Sequence, residues 1–513
     1  MTVSSKHIVV FSYDVWGHSR PMCTLVAQMV RLRMIVVTFF TTVALYDRIK
    51  SEISRSFEPG EEHLLDRIRV IALQKNPQEY FGGDTLDTAF EDTYSKLISE
   101  EPLTCVKTGT SYNSVRSPDA AIVDFFATVP FNAAKKLNKK SAKVFAWVPG
   151  ATNILFYFFG IGPGGEERRN LAAKVEAEVK RSGRPFNSVA MEVLFGSDGS
   201  VVRVPGLPPM YDHEYHPQDF TFPEDFAAKI VLMAQGTLEA SDGVLLLSAE
   251  AYEPECVAAV REWFAQTSRS VTVCGPLLPS GKNAAAHEKQ QSSEGSEIQK
   301  FLDSILESHG AHSLLYISFG SMFWPARPDV IWAFLDVVME LKIPFILSHA
   351  SPLAVVPEEV SRKVREYRLG LLSPWTPQQT ILDHSATGWH ATNILALRRG
   401  PATQCRALTH NLDAAYELIE VRTGKGLLPI LRTGYTPIGT PEAVRNEAKD
   451  VLTKAFGEDG ERKRAKLQAL KKALAESWAE DGPPGAMLKR SLILSVLDGH
   501  IYSAFFSSLG LRK

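Results

Sequence analysis

Cysteine is the first thing this sequence has little of. Its five cysteines, Cys23, Cys105, Cys256, Cys274 and Cys405, are odd in number, scattered and never in a CxxC pair. That excludes a disulfide-framed fold and a cysteine-built zinc site, and it points to a reducing compartment. Long apolar runs are missing too. The two longest, "MIVVTFFTTVALY" and "ILFYFFGIG", fall short of the roughly 20 residues a membrane-spanning helix needs. Neither sign of charge is in excess, with 56 basic against 58 acidic residues, so the balance asks for neither nucleic acid nor an anionic membrane. Internal repeats and low-complexity tracts are absent. The opening "MTVSSKHIVV" enters a strand-like run without the charge, apolar stretch and cleavage site of a signal peptide. A cytoplasmic, monomeric protein is the expectation.

What is present is a regular alternation. Short runs rich in Val, Ile and Phe alternate with longer amphipathic stretches, the pattern of buried parallel strands joined by helices. "HIVVFSY", "MIVVTFF", "RIRVIAL", "AAIVD", "KVFAWV" and "GVLLLS" read as strands of a first half. "LLYISFGS", "PFILSHA", "LGLLSPW" and "GLLPIL" read as strands of a second. At 513 residues the chain exceeds a single hydrophobic core. The expected fold is α/β with two doubly wound, Rossmann-like domains: 1–265, an intervening segment and exposed loop at 266–300, and 301–490. A helix at 491–513 is expected to pack back on the body. Within the intervening segment, "PSGKNAAAHEKQQSSEGSEIQK" reads as loop because it is polar and poor in large apolar residues.

In the first half, "HIVVFSY" leads through "DVWG" to "HSRPMCTLVAQMVRLR", where Pro21 suits the first turn of a helix. His18 therefore falls where a first strand gives way to a helix, the crevice in which open α/β sheets bind ligands. It reads either as a general base or as a capping or core histidine. Asp124, directly after the strand of "IVDFF", either caps the next helix or faces His18. In the second case it would fix the imidazole tautomer and stabilise the imidazolium formed on proton abstraction. "GIGPGG", Gly160 to Gly165, satisfies G-x-G-x-x-G and would suit a dehydrogenase. Yet Glu166 and Glu167 open the following helix where a pyrophosphate would lie, so a loop is expected. "DHEYHPQD", 212–219, clusters histidines and acids without the spacing of a helical metal motif and reads as a structural surface loop.

In the second half, the strand of "SLLYISFGSMFWP" ends in Gly320 and Ser321, a small turn that lets backbone N–H groups and a hydroxyl approach a phosphate. In "SPWTPQQTILDHSATGW", Trp375 offers a flat face for a base, and the Pro-Gln turn sets an amide beside it. Several segments in one order then carry a resemblance. Gly17-His18-x-x-Pro21, Asp124 in "IVDFF", "VCGPLLP", "YISFGS", "SPWTPQQTILDHSATGW" and "LTHNLDAAYELIEVRTGKGLLPILRTG" together resemble the family 1 UDP-glycosyltransferases of the GT-B fold, the fungal branch in particular. The match runs along nearly the whole chain.

The resemblance implies two domains facing a cleft, the first for the acceptor and the second for the nucleotide sugar. It implies inverting transfer from a UDP-sugar, UDP-glucose being the expected donor, to a hydroxyl of a small apolar acceptor. His18 and Asp124 would be catalytic, and Gly320, Ser321, Trp375, Thr376, Gln378 and Asn393 would hold the donor nucleotide. Phe125, Phe126 and Trp147 are the expected acceptor wall. UDP-sugar enters as co-substrate, with no tightly bound cofactor and no metal, because backbone N–H groups and hydroxyls would stabilise the leaving pyrophosphate. The resemblance breaks after Gly388. Where the family has His-Cys-Gly-x-Asn-Ser, then Glu, then Asp-Gln, this chain reads "WHATNILALRRGPATQCRALTHNL". The phosphate-binding His and Ser, the ribose-binding Glu and the sugar-binding Asp-Gln have no counterpart, and His390 is too poorly placed to inherit a role. A second reading is therefore a non-catalytic homologue that binds small apolar ligands.

Overall fold

The computed structural model describes residues 6–79, 83–139, 141–160, 171–215, 217–218, 224–275, 277, 294–320, 324–391 and 407–476. The chain divides into two compact units: Met1–Leu155 with Ile230–Asn283 and Lys472–Lys513, and Phe156–Lys229 with Ala284–Lys471.

In chain order the strands are β1 Lys6–Phe11, β2 Ile35–Thr42, β3 Ile68–Leu73, β4 Leu103–Thr104, β5 Ser111–Tyr112, β6 Ala120–Asp124, β7 Lys143–Val148, β8 Val201–Val202, β9 Met210–Tyr211, β10 Gly243–Leu246, β11 Ser270–Val273, β12 Leu314–Ser318, β13 Phe345–Ser348, β14 Gly370–Ser373 and β15 Thr387–Ala391. The first unit is built on a seven-stranded sheet in the order β11-β10-β7-β6-β1-β2-β3, every ladder parallel. Its central strands are buried on both faces, which is why they read as unbroken apolar runs rather than as alternating ones. From β1 the chain steps outward to β2 and β3, then returns to the other side of β1 as β6. The strand order reverses between β1 and β6, and the carboxyl ends of those two strands open the ligand crevice of such sheets.

The second unit repeats the scheme with four parallel strands in the order β14-β13-β12-β15, so its reversal falls between β12 and β15. Two cores cover the sheet. Leu315, Ile317 and Ala391 belong to one, with the helix Pro328–Glu340 and Val444 and Ala448 of the helix Pro441–Ala455. Leu314, Tyr316 and Ile381 belong to the other, with Ile298 and Leu302 of the helix Glu294–His309.

Some expectations change. "GLLPIL" is not a strand: Gly424–Leu427 is a 3-10 turn, and the chain runs on irregularly, its Leu431 N–H bonded to Glu214 Oε1 at 3.0 Å. The helix beside His18 starts at Trp16, so Pro21 lies inside it rather than in its first turn. Glu294 opens a helix inside the segment expected to be loop. Asp212, His213 and Glu214 are buried, not on a surface loop. Asp212 accepts from Ser197 Oγ at 2.6 Å and the Asp198 N–H at 2.8 Å, and His213 Nε2 meets the Pro429 carbonyl at 2.9 Å. Their bonds are spent inside the protein, as a structural role requires. Gly160 ends the helix Thr152–Phe159; the rest of "GIGPGG" and the expected C-terminal helix lie outside the described residues.

Candidate functional site

In the first unit the site is built on the strand-order reversal. After β1 the loop Ser12–Val15 turns into the helix Trp16–Leu32 and sets His18 in its first turn. Asp14 anchors that loop: its carboxylate pairs with Lys75 and accepts from Thr42 Oγ1 at 2.6 Å. Ser12 Oγ and Ser19 Oγ, 2.7 Å apart, close the loop's base. From the neighbouring strand end comes Asp124, fully buried. Its Oδ2 lies 2.8 Å from His18 Nδ1, and its Oδ1 accepts the Phe126 N–H at 3.0 Å. Asp124 does not cap the helix Thr128–Asn138, whose N-cap is Ala127 without a side-chain bond; one oxygen holds the turn before that helix and the other faces the histidine. A buried carboxylate beside Nδ1 selects the tautomer with its proton there, leaving the Nε2 lone pair to act as a base. The His18 side chain is 20% exposed.

Two partly exposed rings flank the imidazole. Phe126 lies 5.4 Å from His18 and Tyr13 lies 6.1 Å from it, while Tyr13 and Phe126 meet edge to face at 6.0 Å. Burial, reinforced by the carboxylates of Asp124, Asp87 and Asp14, pushes the Tyr13 phenol well above its ordinary value, so it stays a neutral hydroxyl. Phe125 is buried and stacked behind Phe126 at 4.1 Å. Trp147, expected in the acceptor wall, is fully buried in β7, and its indole N–H donates to the His18 carbonyl at 3.3 Å. It backs the His18 backbone, because an inward position on a central strand leaves no face free. Tyr13 was missed by the sequence reading; its place two residues beyond a strand that ends at the crevice was the available signal.

In the second unit β12 ends at Ser318, and Gly320 takes φ 77°, a left-handed turn that favours glycine. Ser321 and Asn393 lie outside the described residues. Trp375 and Thr376 follow the edge strand β14. Ser373 Oγ bonds the Trp375 carbonyl, and Thr376 Oγ1 lies 2.7 Å from Tyr316 Oη in β12. Gln378 opens the short helix Gln378–Asp383. The remaining signature residues work structurally. His384 meets Asp303 through Nε2 at 3.1 Å and takes the Ala386 N–H on Nδ1 at 3.2 Å. A Cβ on Gly388 would sit 2.1 Å from the His312 carbonyl oxygen, so glycine is required there by the approach of another backbone. The structure thus brings His18, Asp124 and Phe126 together around one imidazole, sets Phe125 and Trp147 behind them, and ties the Trp375–Thr376 loop to the strand that leads to Gly320.

No protein-family model matches the chain. The UDP-glycosyltransferase eriJ of Hericium erinaceus is 28% identical over 529 residues, which cover 97% of this chain and 99% of that protein. An anthocyanidin 3-O-glucosyltransferase of Hordeum vulgare is 29% identical over 183 residues, 34% of this chain and 37% of its own length. Among solved structures, a UGT transferase from Siraitia grosvenorii in complex with UDP matches with a TM-score of 0.64 at 17% identity, covering 96% of this chain and all of the other. A UGT of Medicago truncatula complexed with UDP-glucose matches with a TM-score of 0.59 at 14% identity, covering 96% of this chain and 98% of the other.

At such identities the structures speak for the fold, and the fold is GT-B: two doubly wound α/β units, each with a strand-order reversal where ligands bind. Similarity to a glycosyltransferase along almost the full length of both chains then narrows the class. The chain is thus similar, over almost its whole length, to a UDP-glycosyltransferase, and it shares the fold of solved UGT structures.

Proposed function

We propose that this chain transfers a sugar, glucose in the first instance, from UDP to a hydroxyl of a small apolar acceptor with inversion at the anomeric carbon. The observation that carries this is the 2.8 Å contact of His18 Nδ1 with the buried Asp124 at the β1–β6 reversal, which leaves Nε2 to take a proton on an imidazole flanked by the rings of Phe126 and Tyr13. His18 Nε2 takes the acceptor hydroxyl proton as the oxygen attacks the anomeric carbon. UDP departs, and Asp124 stabilises the imidazolium so formed. The acceptor would lie against Phe126 and Tyr13, whose partly exposed rings support an apolar partner. Trp375, Thr376 and Gln378, with Gly320, Ser321 and Asn393, are the proposed donor-nucleotide residues. No step calls for a metal or a resident cofactor. Among the described residues no helix is long and apolar enough to cross a membrane, and Cys23, Cys105 and Cys256 are free thiols; the proposed setting is the cytoplasm.

The sequence beyond Gly388 favours a second reading. Each oxyanion-type donor lost costs on the order of 3 kcal/mol of transition-state stabilisation, so losing two without substitutes slows turnover about 10⁴-fold. Such a chain would bind acceptors and transfer poorly. Incubation with radiolabelled UDP-glucose and a panel of phenolic, terpenoid and sterol acceptors separates the two. Labelled glycoside that disappears in His18→Ala supports the transferase. Acceptor binding in calorimetry with no labelled product supports the impaired homologue. Product formation that survives in His18→Ala removes the proposed base.

A further inference from the structure

The histidine just past Gly388 has a place in the structure that its sequence position does not suggest. His390 lies on β15, directly opposite Tyr316 of β12 in the parallel ladder. The two rings stack with centroids 4.8 Å apart and planes 15° from parallel. Tyr316 is fully buried, so its ring direction is set by what packs on it, and its hydroxyl reaches Thr376 Oγ1 at 2.7 Å. His390, Tyr316 and Thr376 therefore form a continuous path from the sheet interior to the loop that carries Trp375. We infer that His390 is a positioning residue: it backs the Tyr316 ring, and through the Tyr316–Thr376 hydrogen bond it fixes the Trp375–Gln378 loop for the base of a nucleotide. The inference rests on the reading of that loop as the donor site.

The chemistry of His390 agrees with support rather than with binding. Burial lowers its pKa to about 4, so the ring is neutral in the working range. Its Nε2 is buried and has no hydrogen-bond partner among the described residues. A ring valued for its flat face loses nothing when that nitrogen is replaced by carbon, and burying an unpaired polar atom costs stability. Phenylalanine should serve at 390 as well as histidine or better, whereas alanine removes the backing.

The test is amide hydrogen exchange of the full chain, with UDP calorimetry alongside. In His390→Ala and in Tyr316→Phe, exchange at the Trp375, Thr376 and Gln378 amides should rise roughly five- to tenfold, the scale of one hydrogen bond, with β13 unchanged. UDP affinity should weaken by a similar factor. His390→Phe should keep wild-type protection and affinity. Where turnover is measurable, the alanine variant should raise KM for the UDP-sugar and leave kcat unaltered. Loop exchange that stays at the wild-type level in both variants, or that rises equally throughout β12 to β15, overturns the positioning role. Failure of His390→Phe to rescue does so too. Absence of UDP binding by the wild type would overturn the donor-site reading instead, and exchange in the unliganded chain would still decide whether His390 holds the loop.

Discussion

At the scale of single residues, the His18 site is defined by what each atom of Asp124 is committed to. One oxygen holds Nδ1 and the other holds the Phe126 N–H. Asp124→Asn can keep the shape of the turn but presents an amide to the imidazole, which favours the tautomer with its proton on Nε2. A comparable change in a serine protease triad, known for another protein, costs on the order of 10⁴ in kcat. The same scale of loss in glycoside formation is expected here, with UDP binding unaffected, and steady-state kinetics with calorimetry checks both. An Asp124→Asn variant that retains more than about a tenth of the rate would show that Asp124 does no more than shape the turn. Trp147→Phe is a milder probe, since it removes only the indole N–H from the His18 carbonyl. A loss of about 1 kcal/mol in stability with a small fall in kcat is expected, read by urea unfolding and initial rates.

At the scale of elements, nine of the eleven strands of the two large sheets were legible, and β11 and β15 were not. β1, β2, β3, β6, β7, β10, β12 and β13 announce themselves as apolar runs, because a parallel sheet covered on both sides leaves no polar alternation; β14 reads the same way although it is a half-buried edge strand. The runs that failed are those whose surroundings decide. "GLLPIL" has strand composition, yet it is spent on irregular backbone that bonds the segment around Glu214. β15, "TGWHA", has the composition of a turn and is a strand only because β12 supplies its partner. The candidate site was legible at His18 and Asp124, since strand ends mark the crevice, but the inward face of Trp147 and the ring of Tyr13 depend on which way each backbone turns. The glycine of β15 tests how tightly that strand is seated. In Gly388→Ala the new Cβ meets backbone atoms of His312, which cannot rotate away. A cost of roughly 1–3 kcal/mol is expected, seen as faster proteolysis of the second unit; an unchanged rate would mean that β15 can shift freely against the His312 turn.

At the scale of the whole molecule, the two units should answer acid differently, because their buried ionisable groups differ. In the first unit His7 is buried with Nδ1 2.7 Å from the Arg116 carbonyl and Nε2 2.9 Å from Thr38 Oγ1. Burial lowers its pKa from 6.5 to about 4. Between those values the unfolded chain takes up a proton that the native one refuses. Stability present above pH 6.5 is therefore lost as pH falls towards 4, by about 3 kcal/mol. In the second unit His390 acts in the same direction over the same window. It is opposed there by Glu447, which burial raises from 4.5 to about 7 against the N–H groups of Ile419 and Glu420 that it accepts. For Glu447 the native state is the one that holds the proton, so its contribution is present below pH 4.5 and disappears as pH rises through 7, about 2 kcal/mol once partial exposure is allowed for. Acidification from about pH 7 to 5 should thus lower protection in the first unit and leave the second nearly level, when hydrogen exchange is followed separately in each. Glu447→Gln should expose the slope due to His390, so that the second unit then loses stability in acid as the first does. A second unit that stays level in the Gln variant would refute this opposition of Glu447 and His390.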